Sequence, residues 1–294
     1  MVAHRFSCGA IAALLLFLTL FCCSVPLIAP PSSINDLVTT NHTLGSTSDG
    51  QARPAEPFVG EALEEVIRLA EEILERLDRE LIDYTADLVK RERVNGVLGG
   101  ESRMTLKIRN RDAQGSDSLA AYITFSSPAF AKGREVIWAE SENEGKIIAH
   151  EGGFKNWTRL TLDPNGTLAM MGNKYPITEI GLVKLVEKLV EKGKRDQELA
   201  EAEVSVSSGH MVGDRECHLI EVRHPKQKEG LDFHLAQIFL DQERMIPLRY
   251  AAYLWPDSGE DPPLEEEYTY LNVQLNVGLP VETFDPDNPN YEFP

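Results

Sequence analysis

The chain has 294 residues, 42% hydrophobic and 26% charged, which is enough for one good-sized core or two small ones and excludes a wholly disordered polymer. Its formal net charge is −18. So acidic a surface excludes nucleic acid as a partner, because phosphate binding needs clustered Lys and Arg, and it argues against adhesion to anionic lipid headgroups.

Arg5 follows the initial Met and precedes a run, Ala10 to Phe21, that is apolar except for Thr19. A basic start and a short apolar run make a secretory signal, and the run falls short of the ~20 residues of a membrane span. Residues 1–29 are therefore read as a signal peptide or membrane anchor. Ala29 and the Cys22-Cys23-Ser24 segment are both candidate processing sites, Phe21 before Cys22 suits a lipoprotein signal poorly, and retention as an anchor stays open. The expected location is the periplasm or cell envelope, with membrane contact only through this segment. Cys8, Cys22 and Cys23 lie inside it, so after cleavage Cys217 has no disulfide or metal-binding partner and is expected to be a buried structural thiol. Residues 30–60, with Pro, Ser, Thr, Asn and Gly and little apolar pattern, read as a flexible tether, and residues 61–294 as one domain.

From Glu61 onward, Leu63, Val66, Ile67, Ala70, Ile73, Leu74, Leu77 and Leu81 recur at three- and four-residue steps, which predicts an amphipathic helix of about 20 residues. The period then changes to two. Tyr84–Leu88, Met104–Ile108 and Leu119–Phe125 each alternate apolar with polar, as strands with one buried and one wet face do. Val94-Asn95-Gly96-Val97 and Asn143-Glu144-Gly145 read as turns, and further strands are predicted at Arg134–Glu140, Lys146–His150 and Phe154–Leu160. A second helix is predicted to start near Pro176 and Thr178, with Gly193 as a possible end. Its apolar face, Ile180 to Val190, is wide enough to need cover on much of its circumference. Strands follow at Glu203–Ser207, Glu216–His224, Phe233–Asp241, Leu248–Trp255 and Glu266–Val277. Without βαβ alternation the sheet should be antiparallel. The expected fold class is α+β: a strongly curved antiparallel sheet, an incomplete β-barrel, with two long helices on its concave face.

Ile238-Phe239-Leu240-Asp241 followed by Met245-Ile246-Pro247-Leu248-Arg249-Tyr250 resembles a hairpin of the LolA/LolB-like lipoprotein carriers. Gly133-Arg134-Glu135-Val136, Leu168-Ala169-Met170, Gly172-Asn173-Lys174-Tyr175-Pro176-Ile177-Thr178 and the ending Phe284 to Phe293 resemble a bacterial family known as domain of unknown function 1571. The resemblance implies an incomplete barrel around an apolar cavity that, in the carriers, takes acyl chains. It brings no catalytic residues. The carriers lack the Gly-Asn-Lys-Tyr-Pro loop and the long ending, which separates this chain from lipoprotein transport as such.

No Gly-x-Ser-x-Gly elbow, P-loop or His-Glu-x-x-His occurs, so no catalytic residue, metal or cofactor is assigned. His150-Glu151 reads as solvated turn residues. His218 and His224 would lie roughly 20 Å apart on a straight strand, too far for one ion. The acidic clusters Asp257–Asp261 and Glu265-Glu266-Glu267 read as solvated, and Asp285-Pro286-Asp287-Asn288 lacks the glycine of a calcium loop. Arg134 either anchors a ligand headgroup or sits exposed at a strand end. Phe125, Trp138, Trp157, Phe239 and Tyr250 either line a pocket or fill the core. These six are the candidate ligand-binding residues. The reading is a non-enzymatic envelope protein that binds a lipid or other apolar ligand; an envelope protein-interaction module and an unrecognised hydrolase are the alternatives.

Overall fold

The computed structural model describes residues 58–59, 61–111, 115, 117–153 and 157–294; the expected signal segment and residues 30–57 of the expected tether lie outside the described residues. Phe58–Val59 form a short strand, β1, paired to a later one with Phe58 opposite Val204. Helix α1 (Glu61–Glu80) then runs for the 20 residues its periodicity predicts. Leu63, Ile67, Ile73 and Leu77 are buried, and so is Leu69. Arg76 is buried among them and donates to the main-chain carbonyls of Arg244 (3.0 Å) and Met245 (2.6 Å), since a sealed guanidinium needs acceptors.

The remaining strands are β2 (Asp83–Val94), β3 (Val97–Leu98), β4 (Ser102–Arg111), β5 (Asp117–Ser127), β6 (Glu135–Ala139), β7 (Ile147–His150), β8 (Leu160–Leu162), β9 (Glu203–Val212), β10 (Arg215–Arg223), β11 (Leu235–Asp241), β12 (Pro247–Tyr253) and β13 (Leu264–Leu275). They form one antiparallel sheet in the order β1-β9-β10-β11-β12-β13-β2-β4-β5-β6-β7-β8, with β3 beside β2. Among the described residues the two ends of that order do not pair, so the curved sheet is an incomplete barrel. Asn95 (φ 52°) and Gly96 (φ 80°) make the β2–β3 turn, the left-handed pair that matches strand twist.

A single core cluster draws Leu88, Leu106 and Ile108 from one side of the sheet, Val204, Ile220 and Leu248 from the other, and the buried faces of both helices. Helix α2 is Leu182–Leu199, not a helix from Pro176. Ile177–Glu179 form a separate 3₁₀ turn, and Gly181, at φ 108°, swings the chain into the helix. Gly193 does not end α2. It lies inside the helix, where a Cβ would come within 2.9 Å of Ile67 Cγ1, so the missing side chain lets α2 lie close on α1.

Three strand expectations are corrected. In the Phe154–Leu160 prediction, residues 154–156 lie outside the described ones, residues 157–159 are irregular, and the strand is Leu160–Leu162. In β13 a register shift between Leu271 and Gln274, with Asn272 at φ 53°, breaks the alternation, so buried Glu266 and Tyr270 are followed by buried Val273. β5 has no wet face along its middle. Ala121 and Ile123 join the main core, whereas Ala120 and Tyr122 pack under Phe284, Leu279, Tyr291 and Phe293 of the C-terminal segment.

Candidate ligand cavity

The registers of the sheet gather residues from distant parts of the chain into rows. Tyr270 pairs with Leu88, Leu88 with Met104 and Met104 with Phe125. Ile123 pairs with Val136, Val136 with Ala149 and Ala149 with Leu160. Both rows line one side of a cavity of about 650 Å³. Leu185 and Leu189 of α2, with Ile177 and Ile180 from the turn before it, line it too. A second space of about 80 Å³ lies among α1, α2 and β10–β12 and shares Leu189, Lys192 and Tyr250 with the first.

A third row is polar. Tyr250 pairs with Tyr268, and Tyr268 with Lys90; next to it Glu266 pairs with Glu92. All five line the larger cavity, together with Lys174's neighbours Asn173 and Tyr175. Tyr268 donates to Glu92 at 2.6 Å and Lys90 does so at 2.9 Å. Lys174 donates to Glu265 at 2.7 Å, and Lys90 to Asn173 at 2.8 Å, which fastens the segment before α2 to β2 and β13. Burial, then the charge of Glu266, pushes the phenols of Tyr175, Tyr250 and Tyr268 well above the ordinary tyrosine value. They are hydrogen-bond donors at neutral pH. Burial pulls the Lys174 ammonium down, but Glu266 and Glu265 outweigh it and leave it above the usual lysine range.

Of the six candidate residues, Phe125, Arg134 and Tyr250 line the cavity. Arg134 pairs with Glu151 at 2.7 Å and lies over the Phe125 ring, its guanidinium carbon 5.7 Å from the centroid. Trp138, Trp157 and Phe239 do not line it. Trp138 is buried on the same side of β6 as Val136, but Leu162, Ala169 and Ile177 pack around it and its indole donates to the Gly145 carbonyl at 3.1 Å. Trp157 is 79% exposed because the strand expected there does not form. Phe239 is a core residue, edge-on to His210 and under the Arg249 guanidinium.

Two solvated readings are also corrected. Glu266 is 1% exposed because its strand runs through the middle of the sheet. His150 is equally buried, with Nε2 2.7 Å from Glu135 Oε2 beneath Phe293. Glu92, Glu266, Tyr175 and Tyr268 were missed as site residues. The available signal was the period-two phase of Glu266, Tyr268 and Tyr270, which puts a carboxylate on an aromatic face. His218 turns to Ser208, His224 to Asp196 and His234 to Arg223, so the three histidines serve separate contacts. Cys217 is a free, buried thiol, pushed up to about 11 by burial and by Asp241.

A family described as a protein of unknown function, DUF1571, matches residues 81–293. No curated protein matches the sequence. Among solved structures, the chain is similar to a DUF1329 family protein from Desulfovibrio piger (13% identity, 76% of this chain and 97% of that one, TM-score 0.38). It is similar to the MucA/MucB complex of Pseudomonas aeruginosa (14% identity, 76% and 60%, TM-score 0.41). It is also similar to a LolA superfamily protein from Nitrosomonas europaea (11% identity, 73% and 96%, TM-score 0.29).

Proposed function

This chain belongs to the DUF1571 family, and we propose that it is a non-enzymatic binder of a lipid-like ligand, exported to the cell envelope. The observation that carries this reading is the cavity of about 650 Å³ between sheet and α2, walled mainly by aliphatic and aromatic side chains. Pockets of this size enclose most of a drug-sized ligand's surface. Each methylene moved into it from water contributes about 0.8 kcal/mol, so a chain of about ten would gain about 8 kcal/mol before ordering costs. Phe125 and Tyr250 are assigned to the wall and Arg134, with Glu151, to its rim. The basic-then-apolar start of the sequence supports export.

The test is native mass spectrometry of the full chain purified without organic solvent. A bound mass of a few hundred daltons that organic extraction removes is the expected result. Bare protein that also fails to brighten N-phenyl-1-naphthylamine, a neutral apolar probe, would refute the reading. A second reading, an envelope protein-interaction module, is supported by Phe130, Leu168 and Met171, which line the cavity yet stand 72%, 55% and 70% exposed. Photocrosslinking from position 171 in cells should then capture one dominant protein; a lack of crosslinks counts against it.

A further inference from the structure

Among the described residues, those of α1 line none of the larger cavity, but a stripe of them from Leu63 to Ile73 walls the second space of about 80 Å³. Val222, Ile238 and Leu240 close that space from the sheet, and Val186 and Leu189 from α2. Its polar members are Lys192, Asp196 and Tyr250, and each is engaged elsewhere. Lys192 lies 3.5 Å from Asp232 and 3.6 Å from Glu266, Asp196 takes two N–H groups of Arg195 at 2.8 and 2.9 Å, and Tyr250 hydrogen-bonds to Glu266. A hollow so lined suits an aliphatic group and no charged or hydrogen-bonding one.

The two spaces adjoin, because Leu189, Lys192 and Tyr250 line both. Lys192 is tied to two carboxylates and Tyr250 is fully packed. Leu189 is half-buried and has no polar atom to hold it, so of the three it is the side chain that can step aside, by a fast change of rotamer. From Leu189 the second space follows α2 to Asp196, about 10 Å at about 1.5 Å per residue. The contact of Gly193 with Ile67 joins the two helices along it.

We propose that this space is the subsite for the far end of the ligand's chain, entered past Leu189, and that the ligand is a long aliphatic chain whose tip lies between α1 and α2. The proposal rests on the reading that the larger cavity takes an apolar chain. About 80 Å³ takes roughly two or three methylenes, each counted at a water's share of liquid volume, about 30 Å³. Each methylene moved there from water strengthens binding about fourfold.

The test is photolabelling of the full chain with hexadecanol that carries a diazirine on its terminal carbon, read by mass spectrometry of the digest. Label that excess plain hexadecanol removes should fall on α1 between Leu63 and Ile73. The same alcohol with its diazirine beside the hydroxyl end should label the larger cavity and leave α1 bare. Terminal label confined to residues of the larger cavity, such as Phe125 or Leu185, overturns the proposal. Leu189→Trp should cut the α1 label by about tenfold or more, the effect of two methylenes, while the larger cavity is still labelled; an undiminished α1 label overturns the entrance. Should Leu189→Trp lose all label, Ala70→Leu decides. It fills the small space from α1 without touching the larger cavity and should send the terminal label to the larger cavity, whereas label that stays on α1 refutes the subsite. Failure of both alcohols to label the unaltered chain refutes the cavity reading instead.

Discussion

Replacing Tyr84 by Phe should destabilise the protein by about 2 kcal/mol through one hydrogen bond. Tyr84 is fully buried on β2, and its hydroxyl oxygen accepts the main-chain N–H of Leu182, the first residue of α2, at 3.0 Å. The helix has no cap of its own, because Gly181 occupies the N-cap position and a Cβ there would come within 2.9 Å of the Tyr84 oxygen. Strand β2 thus supplies the acceptor that a Ser or Asp would ordinarily give. Phe fills the same space, so no cavity term enters, and the loss is that of a buried N–H left without a partner, about 1–3 kcal/mol. For a domain of this size that corresponds to a fall in Tm of roughly 4–8 °C at the central value. Tyr270 is the control. It is buried, and burial alone raises its phenol. Tyr270→Phe should be neutral or slightly stabilising. Urea unfolding followed by circular dichroism, with equal m-values, measures both. Equal effects of the two substitutions, or a Tyr84→Phe loss below about 0.5 kcal/mol, would show that the capping argument is wrong.

Other outcomes follow from the same structure. Leu185→Trp on the α2 wall should weaken N-phenyl-1-naphthylamine binding more than about tenfold, and Leu185→Ala far less, by fluorescence titration. Gly152→Ala should destabilise by about 3 kcal/mol or prevent folding, because a Cβ there would lie 2.2 Å from the Lys132 carbonyl oxygen and 2.5 Å from Gly133, both main chain; thermal melting reads it. Burial raises Asp241, but Arg215 and the N–H groups of Arg244 and Glu243 outweigh it and hold its carboxyl below the ordinary range. Its contribution is therefore complete above the unfolded value near 3.9 and is lost as pH falls through the lower folded value; Asp241→Asn should cost about 3 kcal/mol at pH 7 and flatten the loss in acid, as read by urea midpoints from pH 6 to pH 2.

Helix α1 was legible because Leu63, Ile67, Ile73 and Leu77 bury one stripe, and the Asn95-Gly96 turn because both residues take positive φ. The open antiparallel sheet followed from strands with period two and no crossover helices, and the family resemblance pointed the same way. What stayed hidden depends on contacts between distant segments. The second buried face of β5 depends on Phe284 and Tyr291, more than 150 residues downstream. The phase of β13 reverses at Asn272, a bulge that no hydropathy pattern announces. Glu266 sits in a run of three acids that reads as solvated, and its period-two phase with Tyr268 and Tyr270 was the one sign of the buried face on which the structure places it. Trp138 and Phe125 are aromatics on strands of one sheet, yet packing by Ala169 and Ile177 makes the first a core residue and leaves the second facing the cavity.

The void itself sets the last expectation. The space of about 650 Å³ reaches solvent past Phe130, Leu168 and Met171, so without a ligand its aliphatic walls stand against water, at about 25 cal/mol for each Å² of apolar surface left wet. Collapse is opposed on each side. The sheet ladder fixes one wall. Helix α2 is held at its start by Tyr84 and near its end by Asp196, which Arg195 and His224 approach. The segment between β8 and α2 is pinned by Lys174 to Glu265 and by Asn173 to Lys90. A frame this braced keeps its space open, so the space must hold either water or a ligand, and aliphatic walls favour the ligand. A ligand present at about a hundred times its Kd adds about 2.7 kcal/mol to folding stability, or roughly 5–11 °C in Tm. Protein stripped by organic extraction and refolded should therefore melt lower by about that amount, and adding back the extract should restore it in proportion to the logarithm of its concentration. If stripped and unstripped protein melt together, the frame carries the void without help and the apolar walls need another explanation.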